Sequence, residues 1–180
     1  YFVSNLYWIS ISLTFDQSFK FLIPFTIILI PGLLALFYAL VAYLFAVLKP
    51  NKNLSSFFLF SLIFGIVEFL RGSILTGFPW NLIAYSFYNQ IEILNITSII
   101  GTYSFNLFCI SLFTSPSIFI LRENKKDISI CIAFLVTTMS FYILGSQNLE
   151  KFNNQQLKKL DYKIRILSSN IGIDRFYNNI

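Results

Sequence analysis

The chain has 180 residues, of which 56% are hydrophobic and only 12% are charged, and its mean hydropathy is +0.70. A soluble domain needs far more surface charge, so the composition excludes one and predicts a polytopic membrane protein. The net charge of +5 does not indicate a nucleic-acid partner, because the basic residues are scattered between apolar segments and form no patch.

The apolar segments predict four complete membrane spans, each of which needs about 20 apolar residues. In chain order they cover residues 21–48, 54–75, 93–121 and 128–147, and the uncharged residues 1–15 are expected to be the end of a further span. Pro31 and Gly32 are expected to kink or break the first complete span. Residues 1–147 are therefore predicted to form a transmembrane helical domain.

The short connections between spans predict the orientation of the chain. Five basic residues fall in two connections on one face, namely Lys49, Lys52, Arg122, Lys125 and Lys126. The opposite connections contain two, Lys20 and Arg71. The positive-inside rule places the first face in the cytoplasm and the segment around residues 71–92 on the outer face.

The chain changes character after residue 147. Residues 148–161 are polar and are predicted to be a linker with helical tendency. Residues 162–168 alternate polar and apolar side chains before a short apolar run, which is typical of a β-strand. Residues 162–180 are therefore expected to begin a soluble domain on the outer face, and the chain is interpreted as a fragment of a longer protein.

Two ionisable residues near the end of the second complete span are the first candidates for a functional site. Glu68 and Arg71 are three residues apart, so they share a helix face and can neutralise each other. Such residues in a membrane segment suggest a function, although an ion pair that only fixes the helix end is the structural alternative.

A turn motif follows this pair. Gly77 and Pro79 disfavour regular helix, so the helix is expected to end before them. Phe78 and Trp80 are apolar aromatic residues in the same stretch. Trp80 fits the wall of a cavity and fits equally well an aromatic belt at the membrane interface, like Trp8.

Little else in the sequence carries chemistry. There is no histidine, metal-ligand spacing or phosphate loop, so no metal or cofactor is expected. Cys109 and Cys131 lie inside apolar runs, where cysteine usually behaves as a small buried hydrophobe.

The segment Glu68-Phe-Leu-Arg71-Gly72-Ser-Ile-Leu-Thr76-Gly77-Phe78-Pro79-Trp80 resembles the signature of bacterial apolipoprotein N-acyltransferases. Weaker similarities are the aromatic residues of 1–9, Gly101 with the aromatics after it, and residues 163–171, which resemble the first strand of the family's nitrilase-like domain. Ser168 departs from that strand, which often has glutamine there. The resemblance implies an all-α polytopic membrane domain followed by the first strand of an α/β nitrilase-like (carbon–nitrogen hydrolase) domain, truncated at its C-terminus.

The resemblance also implies an activity. The family transfers an acyl chain from a phospholipid to the N-terminal amine of a diacylglyceryl-cysteine lipoprotein, through a thioester on a cysteine assisted by a glutamate and a lysine. Those three residues would lie beyond Ile180. Six residues of this chain are the candidates for substrate binding: Glu68, Arg71, Gly77, Phe78, Pro79 and Trp80.

The implied setting is the bacterial cytoplasmic membrane, with several spans and a periplasmic C-terminal part. The expected partners are the phospholipid donor, the diacylated apolipoprotein acceptor and membrane lipid, and a monomer is expected. Two other hypotheses stay open at this point. A transporter would place its ionisable pair near the midplane and show an internal repeat, and a non-catalytic membrane scaffold would have no soluble domain after residue 180.

Overall fold

The computed structural model describes residues 1–48, 53–74, 77, 79–121, 127–155 and 165. The chain divides into two compact units, one comprising Tyr1–Ala35 with the residues from Gln155 onward, and the other Leu36–Asn154. All regular structure in these described ranges is helical, which confirms the all-α part of the predicted fold. The predicted strand that begins at Tyr162 lies outside the described residues.

The first unit begins with short helical pieces. Helix α1 spans Phe2–Leu6, and two 3₁₀ helices follow at Tyr7–Thr14 and Gln17–Leu22. The carboxylate of Asp16 accepts a hydrogen bond of 2.8 Å from the amide of Ser18 and so caps the second of them. The expected end of a span at residues 1–15 is therefore helical but not one continuous α-helix.

Helix α2 spans Ile23–Leu48 and contains Pro31 in its interior. The expected break at Pro31 and Gly32 is wrong, because the helix continues past both residues to Leu48. Proline is tolerated inside membrane helices, where local adjustments and neighbouring groups satisfy the freed carbonyl.

The second unit contains the remaining helices together with the last part of α2. In chain order they are α3 (Asn53–Ser73), a 3₁₀ helix (Ile83–Phe87), α4 (Ile91–Leu94), α5 (Thr97–Ile100), α6 (Thr102–Thr114), a 3₁₀ turn (Ser115–Ser117), α7 (Ile118–Leu121) and α8 (Ile128–Asn153).

The single span predicted at residues 93–121 is wrong in its first part. The helix is interrupted at Gly101, which has a φ of +79°. Glycine adopts this conformation readily, whereas it is costly for other residues. The pieces before it are the short helices α4 and α5, and α6 begins only at Thr102. The absence of charge in this run does not reveal the break, because the connecting segment is itself packed in an apolar cluster.

Within the described residues, four helices are long and apolar enough to cross a membrane: Gln17–Leu48, Leu54–Ser73, Thr102–Ile120 and Ile128–Asn153. Helix α3, with 21 residues, is about 30 Å long, which matches the hydrocarbon thickness of a bilayer. Helix α8 runs past Gln147 to Asn153, so the first part of the predicted linker continues the helix.

Helices α3 and α6 pack closely because glycines on α3 make room for side chains on α6. A Cβ atom at Gly65 would lie 2.7 Å from Leu107 Cδ1, and one at Gly72 would collide with the Tyr103 hydroxyl. Tyr103 also packs edge-on against Phe69, with 5.1 Å between ring centroids. Small residues at such contacts let membrane helices gain van der Waals packing, which is their main source of association.

The segment that connects α3 to α6 packs against α6 and α8. Its apolar residues form one cluster with α6, consisting of Leu82, Ala84, Ile93, Ile96, Phe105 and Cys109. Gly145 of α8 lies directly against the backbone carbonyl of Glu92, and Asn148 donates a hydrogen bond of 2.9 Å to the side-chain oxygen of Asn95. This end of α8 is therefore held by one contact with the backbone and one hydrogen bond to a side chain of the connecting segment.

We expect Gly145→Ala to destabilise the protein by about 1–3 kcal/mol, the usual cost of overpacking a filled site. The new methyl group would meet the Glu92 carbonyl, which is backbone and cannot rotate away. The measurement is the thermal unfolding of the purified protein in detergent. The matched control is Gly32→Ala, also inside a helix but with no atom within 4 Å of the added Cβ apart from its chain neighbours and the backbone of its own helix. It should be neutral or slightly stabilising, and equal melting of the two variants would contradict the close contact.

Candidate functional site

Glu68 and Arg71 form an ion pair inside the protein, which confirms the pairing predicted from their spacing. Arg71 Nη2 lies 2.8 Å from Glu68 Oε2, and the two residues are 2% and 0% exposed. Both belong to the last two turns of α3, so the pair lies near one end of a membrane-length helix. A desolvated pair of this kind holds its geometry strongly, because either charge alone would be costly to bury.

Arg71 also holds the connecting segment. Its second terminal nitrogen, Nη1, donates a hydrogen bond of 2.9 Å to the backbone carbonyl of Trp80. One guanidinium thus joins a carboxylate on its own helix to a backbone oxygen nine residues further along. The fork of donors on arginine suits this bridging role, which the single charge of lysine fills poorly.

The backbone between these partners turns as predicted. Helix α3 ends at Ser73, and Gly77 has a φ of +70°. A Cβ atom there would lie 2.8 Å from the Gly72 carbonyl, so glycine is required both for conformation and for space. Pro79 is described and lies outside any helix, whereas Phe78 lies outside the described residues.

The segment passes from an exposed residue to buried ones. Trp80 is 48% exposed, whereas Leu82 and Ala84 are 3% and 1% exposed. Asn81, between them, has a φ of +60°, a left-handed conformation that asparagine tolerates better than most residues. The arrangement buries Leu82 and Ala84 in the apolar cluster with α6 and leaves Trp80 half exposed.

The structure therefore brings together three of the six predicted site residues, Glu68, Arg71 and Trp80, whereas Gly77 and Pro79 lie outside any helix between Arg71 and Trp80. Substrate binding by these residues stays a prediction.

Sequence reasoning missed Asn106, which is 1% exposed on α6. Its side-chain oxygen accepts a hydrogen bond of 2.9 Å from the amide of Ala84. The signal was present, because an asparagine inside a long uncharged apolar run is expensive unless it is bonded.

The described residues offer little for direct chemistry. Cys109 and Cys131 are buried free cysteines inside α6 and α8, and Cys131 donates to the carbonyl of Ser115 at 3.1 Å. No group of three or more histidine, cysteine, aspartate or glutamate residues in the described part of the chain could hold a metal ion. The arrangement is instead suited to holding the half-exposed Trp80 in a fixed position after the end of α3.

We expect Glu68 and Arg71 to be energetically coupled. Glu68→Gln and Arg71→Leu should each destabilise the protein by about 3–5 kcal/mol, since each leaves an uncompensated buried charge. The double variant should lose less than the sum of the two, because neither charge then remains. Thermal unfolding of the four proteins in one detergent gives the coupling energy.

The control cycle uses Glu150→Gln and Lys151→Leu, two exposed neighbours on α8 that do not face each other. Their effects should add to within about 0.5 kcal/mol. Strict additivity at positions 68 and 71 as well would mean that the ion pair does not form in the folded protein.

Comparison with known proteins identifies the family. Residues 1–115 match the family model of the apolipoprotein N-acyltransferase N-terminal domain. The apolipoprotein N-acyltransferase of Rhodopseudomonas palustris is 36% identical over 181 aligned residues, which cover 99% of this chain and 33% of that protein. The enzyme of that name from Rickettsia bellii is 27% identical over 172 residues, covering 95% of this chain and 34% of the relative.

A third relative, the apolipoprotein N-acyltransferase of Brucella melitensis, is 34% identical over 119 residues, which are 66% of this chain and 22% of that protein. The chain thus spans about a third or less of the length of these relatives. No solved structure matches it. With a family model matched over more than half its length and a relative aligned along nearly all of it, the chain belongs to the apolipoprotein N-acyltransferase family.

Proposed function

We propose that this chain forms the membrane part of an enzyme that transfers an acyl chain from a phospholipid to the N-terminal amine of a diacylglyceryl-cysteine lipoprotein. The observation that carries the proposal is the buried Glu68–Arg71 pair. Its Arg71 also binds the backbone carbonyl of Trp80, whose own side chain is half exposed. Family membership supports it and favours it over the transporter and the scaffold.

The proposed reaction has two steps. A cysteine thiolate attacks the ester carbonyl of the phospholipid, which forms a thioester and breaks the bond from the acyl carbon to the glycerol oxygen. That oxygen takes the proton removed from the thiol, and the lysophospholipid leaves. The uncharged α-amine of the lipoprotein then attacks the thioester, which forms an amide and returns the thiol. Splitting the transfer in this way replaces one difficult step by two easier ones.

We assign the nucleophile to neither cysteine of this chain, because Cys109 is fully buried and Cys131 is 6% exposed within membrane-length helices. The described residues would instead supply the membrane body and the surface that receives lipid. We keep the predicted organisation as part of this proposal, with a membrane domain over residues 1–147 and the start of a nitrilase-like domain at residues 162–180. The linker at residues 148–161 would begin as a continuation of α8.

An apolar groove between α4 and α8 is suited to acyl chains. Its volume is about 680 Å³, and it is lined by Ile93, Leu135, Val136, Thr138, Met139 and Tyr142. A groove of this character on a membrane helix is more easily filled by hydrocarbon than by water. It supports a membrane body that handles lipid.

We propose further that the chain lies in the bacterial cytoplasmic membrane with Trp80 and the C-terminal part on the periplasmic face. The excess of basic residues in the connections at residues 49–52 and 122–126 supports this orientation. The phospholipid acyl chains on the periplasmic side of the membrane and the lipoprotein amines would then be accessible from the same side as Trp80.

The orientation can be tested with single cysteines in intact cells. Cysteines placed at Tyr85 and Lys158 should react with a membrane-impermeant maleimide added from outside, whereas those placed at Lys52 and Lys125 should react only after the membrane is permeabilised. Permeabilised cells are the control for the reactivity of each site. Labelling at position 52 in intact cells would reverse the proposed orientation.

We expect Trp80→Ala in the full-length protein to lower acyl-transfer turnover or raise the apparent KM for phospholipid by about tenfold, which corresponds to about 1.4 kcal/mol. An indole combines an apolar body with one N–H group, which suits the level where headgroups meet acyl chains. Folding should be little affected, because Trp80 is half exposed and the alanine variant keeps the backbone carbonyl that Arg71 binds. The assay uses a phospholipid donor and a diacylated lipopeptide acceptor.

The matched control is Trp8→Ala, because Trp8 is 41% exposed, close to the 48% of Trp80. It should change turnover much less. Equal activity of wild type and Trp80→Ala, or a loss that a lowered melting temperature explains completely, would return Trp80 to an ordinary interfacial role.

A further inference from the structure

Asn106 is an amide buried where an apolar side chain would cost less. It is 1% exposed, and its neighbour Phe105 and the nearby Cys109 belong to the apolar cluster between α6 and the connecting segment. Burying an amide is unfavourable unless hydrogen bonds replace those lost to water. The hydrogen bond that Asn106 accepts therefore indicates the structural role of this residue.

The oxygen of Asn106 caps a helix in another part of the chain. It accepts from the amide of Ala84, the second residue of the 3₁₀ helix Ile83–Phe87. The first amides of any helix lack partners within the helix, and Leu82 at the N-cap position provides no side-chain acceptor. Ala84 is 1% exposed, so no bulk water can replace the bond.

The segment 80–84 is thus held at both ends by buried side chains. Arg71 of α3 binds the carbonyl of Trp80 at 2.9 Å, and Asn106 of α6 binds the amide of Ala84 at 2.9 Å. Between these two points Asn81 adopts a φ of +60°. A left-handed residue persists when its surroundings determine the backbone on both sides.

We propose that Asn106 is a positioning residue for lipid handling, and that it acts by fixing the segment that displays Trp80. The inference rests on the proposed function. Only the oxygen of the amide is used for this, because Nδ2 of Asn106 donates no hydrogen bond to any atom of the described residues. The role therefore requires an acceptor of this size and not an amide as such.

The test compares two substitutions in the full-length protein. Asn106→Leu keeps the approximate shape and removes the acceptor. Asn106→Asp keeps an oxygen for Ala84 and adds no charge, because an apolar site favours the neutral form of a carboxyl group. The control is Ser111→Ala on the same helix, because the buried Ser111 hydroxyl donates only to the carbonyl of Leu107 in its own helix. If Asn106→Leu does not accumulate, Asn106→Met replaces it, since a flexible side chain adapts to the same space.

The first readout is hydrogen exchange of the Ala84 amide, measured on peptides covering residues 80–87. Asn106→Leu should speed this exchange by about ten- to a hundredfold, the range expected when a buried hydrogen bond is lost. Exchange within α8 should stay unchanged, and Asn106→Asp and Ser111→Ala should resemble wild type.

The second readout is acyl transfer from phospholipid to a lipopeptide. Asn106→Leu should lower kcat/KM for the phospholipid about as much as Trp80→Ala does, and Asn106→Asp should restore most of the loss. If Asn106 acts through Trp80, the double variant Asn106→Leu with Trp80→Ala should be no worse than Trp80→Ala alone. A residue that merely supports folding would instead give additive losses.

Unchanged exchange at Ala84 in Asn106→Leu would overturn the inference whatever the activity, and so would faster exchange spread evenly over α8. Additive losses in the double variant, or no rescue by Asn106→Asp, would also overturn it. Failure of the proposed function is separate and visible, because the wild-type protein would then transfer no acyl chain while the exchange data still decide whether Asn106 holds the segment.

Discussion

A polar group buried in a membrane protein must find its partner inside the protein, and this requirement organises the described structure around Arg71. Arg71 is 2% exposed, and its guanidinium binds Glu68 on its own helix and the carbonyl of Trp80 beyond it. The described residues from Gly77 to Leu82 belong to no helix, so helical hydrogen bonds do not satisfy their carbonyls and amides. Arg71 therefore provides a hydrogen-bond partner for a carboxylate on α3 and for a backbone carbonyl of the segment that follows α3.

Close backbone approach is the second requirement, because lipid provides no hydrophobic force to press helices together. Gly72 makes room for the Tyr103 hydroxyl, and Gly145 accepts the backbone of Glu92. Phenylalanine rings then fill the spaces between helices, as where Phe108 lies 5.0 Å from Phe141 and 5.6 Å from Phe134 between ring centroids. Phenylalanines among the described residues thus contribute to the packing as well as to the exposed apolar surface.

The candidate site follows from these two requirements. Helices α3 and α6 are fixed against each other, and each contributes one buried polar side chain, Arg71 or Asn106, to the short segment between them. The segment consequently has a defined backbone while its Trp80 ring stays half exposed. This half-exposed side chain on a defined backbone is the feature on which the proposed contact with lipid rests.

The sequence alone determined the membrane class, three of the four long helices, and the pairing of Glu68 with Arg71, because these depend on composition and on the local period of a helix. It also located the turn at Gly77 and Pro79, where backbone chemistry is local. The break at Gly101 and the bond from Asn106 to Ala84 were decided by tertiary structure. The break depends on how compactly the connecting segment packs, and the hydrogen bond joins residues 22 positions apart. Hydropathy carries no information about such contacts.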